Sequence, residues 1–354
     1  MISTNDQTIK RMNSEMSVSD GRNFLNPRLA KLGLNPLSLI ALLFMFSLPL
    51  IPAFQAEYII RWLTVAAYAA AATIAFDLTS GYINIVNFGL MAFAGLGSYT
   101  SAIICQRYGL SPWLTILAGG LASALMGFFT GIITLRLRGI FAACLAWFIG
   151  LALMGLAIKL VFLTRGPAGL MTARLFATDS NVPYYYTALT MMLAFYIICS
   201  VMVRSHIGLA FKAIGQNMDA ARTSGINPVF YRILNFTTSC ALVGLLGGFY
   251  AHYYGILTPD IMHTTKTVEI LTISYIGGRG TLWGGAAIAF PFLILMELIR
   301  SSLSHWPGIN LIIYGLVLIL VMVYYPGGAA GLYKNTIDRL KKYPVIAWLT
   351  GGSK

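Results

Sequence analysis

"IFAACLAWFIGLALMGLAIKLVFL" (140–163) carries one charged residue, Lys159, in an otherwise apolar run. At about 1.5 Å of rise per residue, a helix of this length crosses the roughly 30 Å hydrocarbon core of a bilayer. Similar runs lie on both sides of it. The 354 residues are 58% hydrophobic and 10% charged, against roughly 25% charged in soluble domains. Alternating, strand-type hydrophobicity is absent, so helices rather than a barrel must satisfy the backbone in lipid. The expected fold class is an all-α polytopic membrane protein.

Apolar runs place spans near 36–54, 58–77, 81–104, 112–135, 140–163, 184–203, 231–253, 267–283, 284–303 and 309–325. With both termini in the cytoplasm, this count puts most of the 24 basic residues in inner loops, as the positive-inside rule requires. It also accounts for the net charge of +13 without nucleic acid, since the basic residues form no stripe interleaved with aromatics. The expected organisation is a cytoplasmic extension (1–34), a transmembrane domain (35–333) containing a cytoplasmic loop (204–230), and a basic cytoplasmic tail (334–354). Residues 1–34 are polar and mixed in charge, and no cleavable signal peptide is expected. Cys105, Cys144, Cys199 and Cys240 lie in or beside apolar runs without a CxxC pair and read as core residues. No catalytic constellation, metal cluster or cofactor motif appears; His206, His252, His263 and His305 are scattered.

Two segments depart from plain spans. "GYINIVNFGLMAFAGLGSY" (81–99) holds Asn84, Asn87, Gly89, Gly95, Gly97 and Tyr99; "YIGGRGTLWGG" (275–285) holds Gly277, Gly278, Gly280 and Thr281. Each falls in the third span of its half if ten helices divide into two inverted sets of five. Gly-interrupted helices at matching places in inverted halves point to a substrate site near the midplane, and these ten residues are the candidate pathway. Close helix packing is the competing reading of the glycines; the asparagines lean toward the pathway, because an unpaired amide in lipid is costly. The alanine-rich "VAAYAAAATIAF" (65–76) reads as packing. Asp77 is expected to be solvated at the inner edge, and Lys266 and Glu269 to sit at the outer mouth. Glu297 and Arg300 have the spacing of a structural helical pair.

A polar island, "KAIGQNMDAARTSGINP" (212–228), interrupts this apolar chain. Around it Ile207, Ala210, Phe211, Ile214, Met218 and Ala221 recur at three- and four-residue steps and share one helical face. Gly215 divides the segment, Asn217 is placed to cap a short second helix, and Gly225 to close it at positive φ. Pro228 stops continuation. Three readings stand: a helix lying on lipid head groups, a solvated loop, or a docking helix that fits a groove on another protein.

"DAARTSGIN" (219–227) resembles the EAA-type loop of ABC importer permeases. "RSHIGLAFKAIGQNMDAARTSGINPVFYR" (204–232), "LRLRGIF" (135–141), "GLGSYT" (95–100) and "GGRGTLWGG" (277–285) stand in the order and spacing of branched-chain amino acid ABC permeases, the ten-span subunit in particular. The resemblance runs from about 58 to 332. Leu90 replaces a His or Gln common in that family, and Gly285 replaces a proline. The resemblance implies a bacterial inner-membrane subunit that forms the pathway for branched-chain or other amino acids. Its implied partners are a second permease subunit, cytoplasmic ATPase subunits, a periplasmic or surface-tethered binding protein and the surrounding lipid. The implied coupling loop comprises Ile214, Met218, Asp219, Ala220, Ala221, Arg222 and Gly225, with Met218 and Ala221 making apolar contact with the ATPase. The chain has no G-x-x-x-x-G-K-[ST] loop of its own, so it is not expected to be an enzyme. Permeases for nucleosides, sugars, urea or short amides are the alternatives, with an ion-coupled secondary transporter, which would need no docking loop, behind them.

Overall fold

The computed structural model describes residues 44–51, 56–134, 137, 139–178, 180–302, 308–324 and 327–331. The chain forms two compact units, 1–48 and 49–354; everything below concerns the second. The expected extension 1–34, the tail 334–354 and most of the first span lie outside the described residues.

The helices are α1 (Glu57–Asp77), α2 (Leu90–Tyr108), α3 (Pro112–Thr134), α4 (Ile140–Lys159), α5 (Val182–Arg204), α6 (His206–Gln216), α7 (Met218–Thr223), α8 (Pro228–Tyr254), α9 (Thr264–Gly277), α10 (Trp283–Ser302) and α11 (Ile309–Tyr324). Among the described residues five stretches are long and apolar enough to cross a membrane: α3, α4, α5, α8, and α1 with the π-helical turn Leu78–Tyr82 that extends it. The chain is an all-α multi-pass membrane protein. One short antiparallel pair, β1 (Leu170–Met171) with β2 (Ile256–Leu257), ties two loops together.

Composition decides which helix is central. In α1, Ala66, Ala67, Ala70, Ala71, Ala72 and Ala75 are fully buried, because small side chains let α5, α8, α9 and α10 close around it. By contrast, α3 and α4 turn Leu117, Leu121, Leu125, Phe141, Phe148 and Leu156 outward. An apolar outer face on a membrane helix is solvated by lipid tails. Glycines on α3 face α8: a side chain at Gly127 would stand 2.5 Å from Cys240 Cβ, and one at Gly120 2.6 Å from Leu245 Cδ2.

The expected third span of each half is broken, and neither break matches the sequence boundary. Helix α2 begins at Leu90, not at 81, because the chain from Ile83 to Gly89 has left helical geometry. Its start lies near mid-height: Gly89 packs on Ala146 and Gly150 in the middle of α4, and the Phe93 carbonyl accepts from Ser123 Oγ (2.8 Å) at the centre of α3. Helix α9 also starts at mid-height, where Trp147 Nε1 of α4 donates to Thr264 Oγ1 (2.9 Å). From there α2 runs to the α3-loop end, while α9, with 14 residues and about 21 Å long, runs to the opposite end. At mid-height their first turns touch, Met91 N donating to Thr267 Oγ1 (3.3 Å).

Candidate functional site

At the end of the bundle opposite the α2–α3 loop, α6 and α7 lie across the termini of α1, α5 and α8. Ser205 caps α6 by accepting from Ile207 N (3.2 Å), and Asn217 caps α7 by accepting from Asp219 N (3.0 Å) and Ala220 N (3.1 Å). Gly225 follows at φ +82, where an L side chain is disfavoured. The break between the helices falls at Asn217, which is extended at φ −154, and not at Gly215. Gly215 stays helical for another reason: a Cβ there would lie 2.3 Å from the Tyr82 carbonyl.

The periodic face of this helical pair turns inward. Ala210, Phe211, Ile214 and Ala221 are buried against the chain's own helices, and Met218 is half-buried with its sulfur 3.7 Å from Arg232 Nη1. This corrects the assignment of Ala221 to a partner contact. The bundle end is the nearest apolar surface, so it claims the apolar stripe. What faces outward is Leu209, at 63% exposure, with Asp219, Ala220, Arg222 and Gly225.

The expected pathway residues divide into three groups by position. Asn87 and Gly89 lie at mid-height by the start of α2. Asn87 is fully buried; its Oδ1 accepts from Gly89 N (3.1 Å), and its Nδ2 has no partner among the described residues. Gly95, Gly97 and Tyr99 lie within α2. A side chain on Gly95 would meet Met262, and one on Gly97 would stand 2.3 Å from the Gly244 carbonyl, so both glycines are sites of close packing. Tyr99 is buried and its hydroxyl has no partner among the described residues. The third group, Asn84 with Gly277, Gly278, Gly280 and Thr281, lies at the α6 end and not at mid-height.

In that third group the two broken segments meet. Asp77, expected to be solvated, is 3% exposed; its Oδ1 accepts from Gly280 N (2.8 Å) and its Oδ2 from Leu282 N (3.0 Å). Arg279 Nε donates to the Ser80 carbonyl (2.7 Å) and Arg279 Nη2 to Asn84 Oδ1. Thr281 Oγ1 donates to the Gly278 carbonyl (2.6 Å), while Gly277 packs on Gly284 and Gly285, and Gly278 on Gly327 and Ala330.

A cleft of about 570 Å³ opens elsewhere, between α1, α8, α9 and α10. It holds ionisable groups of both signs, Arg61, Lys266, Glu269 and Glu297, beside Tyr254. A smaller pocket sharing Val65, Tyr254, Lys266 and Glu269 is lined by Tyr68, Tyr250 and Tyr253. Lys266 and Glu269 pair at 3.6 Å in this cleft, which is lined by Tyr58 and Arg61 at the start of α1 and Tyr254 at the end of α8, toward the end of the bundle away from α6. The expected pathway residues are not among the lining of either cavity. The side chain of Arg300, expected to pair with Glu297, lies outside the described residues. Among the described residues no group of three or more His, Cys, Asp or Glu side chains could hold a metal ion. His252 is buried as a structural tie, with its Nδ1 2.7 Å from the Ala173 carbonyl and its Nε2 2.9 Å from Ser101 Oγ.

A helical membrane protein with two helices that start near mid-height after broken segments, and a capped helical pair lying across one end, has the discontinuous helices found along transport paths. The chain belongs to the family described as "Branched-chain amino acid transport system / permease component", which matches residues 58–322. It is 24% identical over 280 residues to the high-affinity branched-chain amino acid transport system permease protein LivM of Salmonella typhimurium, covering 71% of this chain and 65% of that one; the Escherichia coli LivM gives the same figures. It is 27% identical over 191 residues to the nucleoside ABC transporter permease protein NupC of Lactococcus lactis, covering 48% of this chain and 59% of that one. The match thus spans just under two thirds of the LivM relatives. No solved structure matches.

Proposed function

We propose that this chain is the permease subunit of a bacterial inner-membrane ABC importer. In this reading it forms part of the path for branched-chain or other amino acids delivered by a binding protein, and separate ATPase subunits drive it. The observation that carries this reading is the α6–α7 pair. Its apolar stripe is satisfied internally, yet it still presents Leu209, Ala220 and Arg222 outward at one end of the bundle. A transporter powered by an ion gradient has no use for such a surface. An ATPase groove would take Leu209 and Ala220 as apolar contacts, with Asp219 and Arg222 setting register at the rim. The loop 204–230 is then the coupling loop, with Gly225 fixing its exit, and the second permease subunit would complete the path.

The substrate class is supported by the cleft. A zwitterion needs a cation for its carboxylate and an anion or aromatic face for its ammonium. Arg61 and Lys266 with Glu269, Glu297 and the tyrosines supply both; a neutral nucleoside would not call for charges of both signs. A nucleoside permease is the second reading, favoured by the similarity to NupC.

The test is uptake by the complete complex reconstituted in liposomes with binding protein outside and ATP inside. Labelled leucine should accumulate only with ATP, and a nucleoside should not. Accumulation of the nucleoside instead would move the assignment to the second reading.

A further inference from the structure

The two broken segments are locked to one another at the end of the bundle where α6 lies, and the lock touches α6 directly. Three observations build it. First, Asp77 at the end of α1 is buried and receives two backbone amides from the turn after α9, Gly280 N and Leu282 N. That turn is held under backbone strain, with Leu282, a branched residue, at φ +53. A left-handed conformation is disfavoured for such a residue and persists only where its surroundings over-determine it. The carboxylate of Asp77 is the over-determining partner.

Second, the segments touch with no room to spare. A Cβ on Gly81 would stand 2.4 Å from Asp77 Oδ1 and 2.6 Å from Gly280 N. The two segments therefore meet here backbone against backbone. Third, one pair of side chains joins this contact to α6. Asn84, itself at φ +64, accepts from Arg279 through Oδ1, while its Nδ2 stands 3.5 Å from the Gly215 carbonyl of α6. Arg279 also holds the Ser80 carbonyl. Beside them Gly215 abuts the Tyr82 carbonyl, and Lys212 Nζ lies 5.9 Å from the Tyr82 ring centroid.

We infer that Asn84 and Arg279 are positioning residues that carry movement of helix α6 to the Asp77 clasp, so that displacement of α6 opens the contact between Gly81 and Gly280. The inference rests on the importer reading, which assigns the push on α6 to an ATPase. Asn84 is the pivot because its two amide atoms face different elements: the oxygen takes the α9–α10 turn and the nitrogen takes α6. When α6 moves, the pull reaches Arg279, and through it the turn whose amides Asp77 holds.

The experiment compares ATP hydrolysis with uptake in the complete reconstituted complex. Arg279→Ala removes the bonds to Ser80 and Asn84. Asn84→Asp keeps an acceptor for Arg279 and tolerates positive φ, but loses the donor toward Gly215. Both variants should hydrolyse ATP within about twofold of the parent while substrate moved per ATP falls at least tenfold. Arg279→Lys, which retains one donor, should recover part of the loss. Equal reductions in hydrolysis and uptake, with stoichiometry unchanged, would mean that the pair only braces the fold, and the relay would be wrong. If Arg279→Ala does not assemble, Asn84→Asp decides alone, since an Arg–carboxylate pair leaves the clasp intact. A parent complex that shows no ATP-dependent uptake overturns the importer reading itself, a failure distinct from that of the relay.

Discussion

Gly97 sits where three helix backbones converge. A side chain on it would meet the Gly244 carbonyl of α8 at 2.3 Å, and one on Gly119 of α3 would meet the Gly97 carbonyl at 2.4 Å. These are backbone atoms that cannot rotate away, so any Cβ forces helices apart. Gly97→Val should therefore lower stability by about 1–3 kcal/mol, the usual cost of overpacking, and reduce the melting temperature of the detergent-solubilised protein followed by size exclusion. Gly155→Ala, on α4 with no heavy atom within 4 Å, should not lower it, since Ala suits a helix interior better than Gly. Equal stability of the two variants would return Gly97 to the candidate pathway. The sequence could not separate these cases, since both glycines lie in apolar runs and spacing alone allows packing or a break. Asp77 is the reverse case. Its position at a span end suggested water, but the turn that buries it is about two hundred residues away along the chain, beyond any local pattern.

At the scale of elements, α7 is six residues long, too short to be stable by propensity. It persists because Asn217 satisfies two of its free amides and Ala221 is buried behind it. Asn217→Ala should cost about 1 kcal/mol locally, raising amide exchange in residues 218–223 by about fivefold while α8 keeps its protection. Unchanged exchange there would show that tertiary contacts, not the cap, hold α7. This element was the most legible in the chain: the stripe, the cap at Asn217 and positive φ at Gly225 all follow from local chemistry. The direction of the stripe did not. Periodicity states that a face will be covered but not by what, and here the nearer cover is the chain's own bundle.

For the whole molecule, the helix starts at mid-height and the clasp at one end set a polarity. Leu209 on α6 and Phe162 in the turn after α4 are both exposed, at 63% and 81%, and sit at opposite ends. Cysteines placed at the two positions, with the native thiols replaced by alanine, should react with a membrane-impermeant maleimide from opposite faces of oriented vesicles. Labelling of both from one face would refute the assembly of α4, α5 and α6 described here. The charged cleft shows the same division between sequence and structure. Lys266 and Glu269 read together as an outer-mouth pair and Glu297 as the partner of Arg300, but their grouping with Arg61 depends on α1, α8, α9 and α10 packing side by side.

The amino-acid order alone determined that helices of this chain lie in a membrane and that an amphipathic, capped segment interrupts them. Each of those follows from free energies set within a few turns: burial of apolar side chains and satisfaction of nearby backbone groups. Tertiary structure alone decided where α2 and α9 begin, which glycines are pressed against backbone, and that Asp77, Arg279 and Asn84 join two interruptions to α6. Those are contacts between segments far apart in the chain, and their energies exist only once the helices are packed.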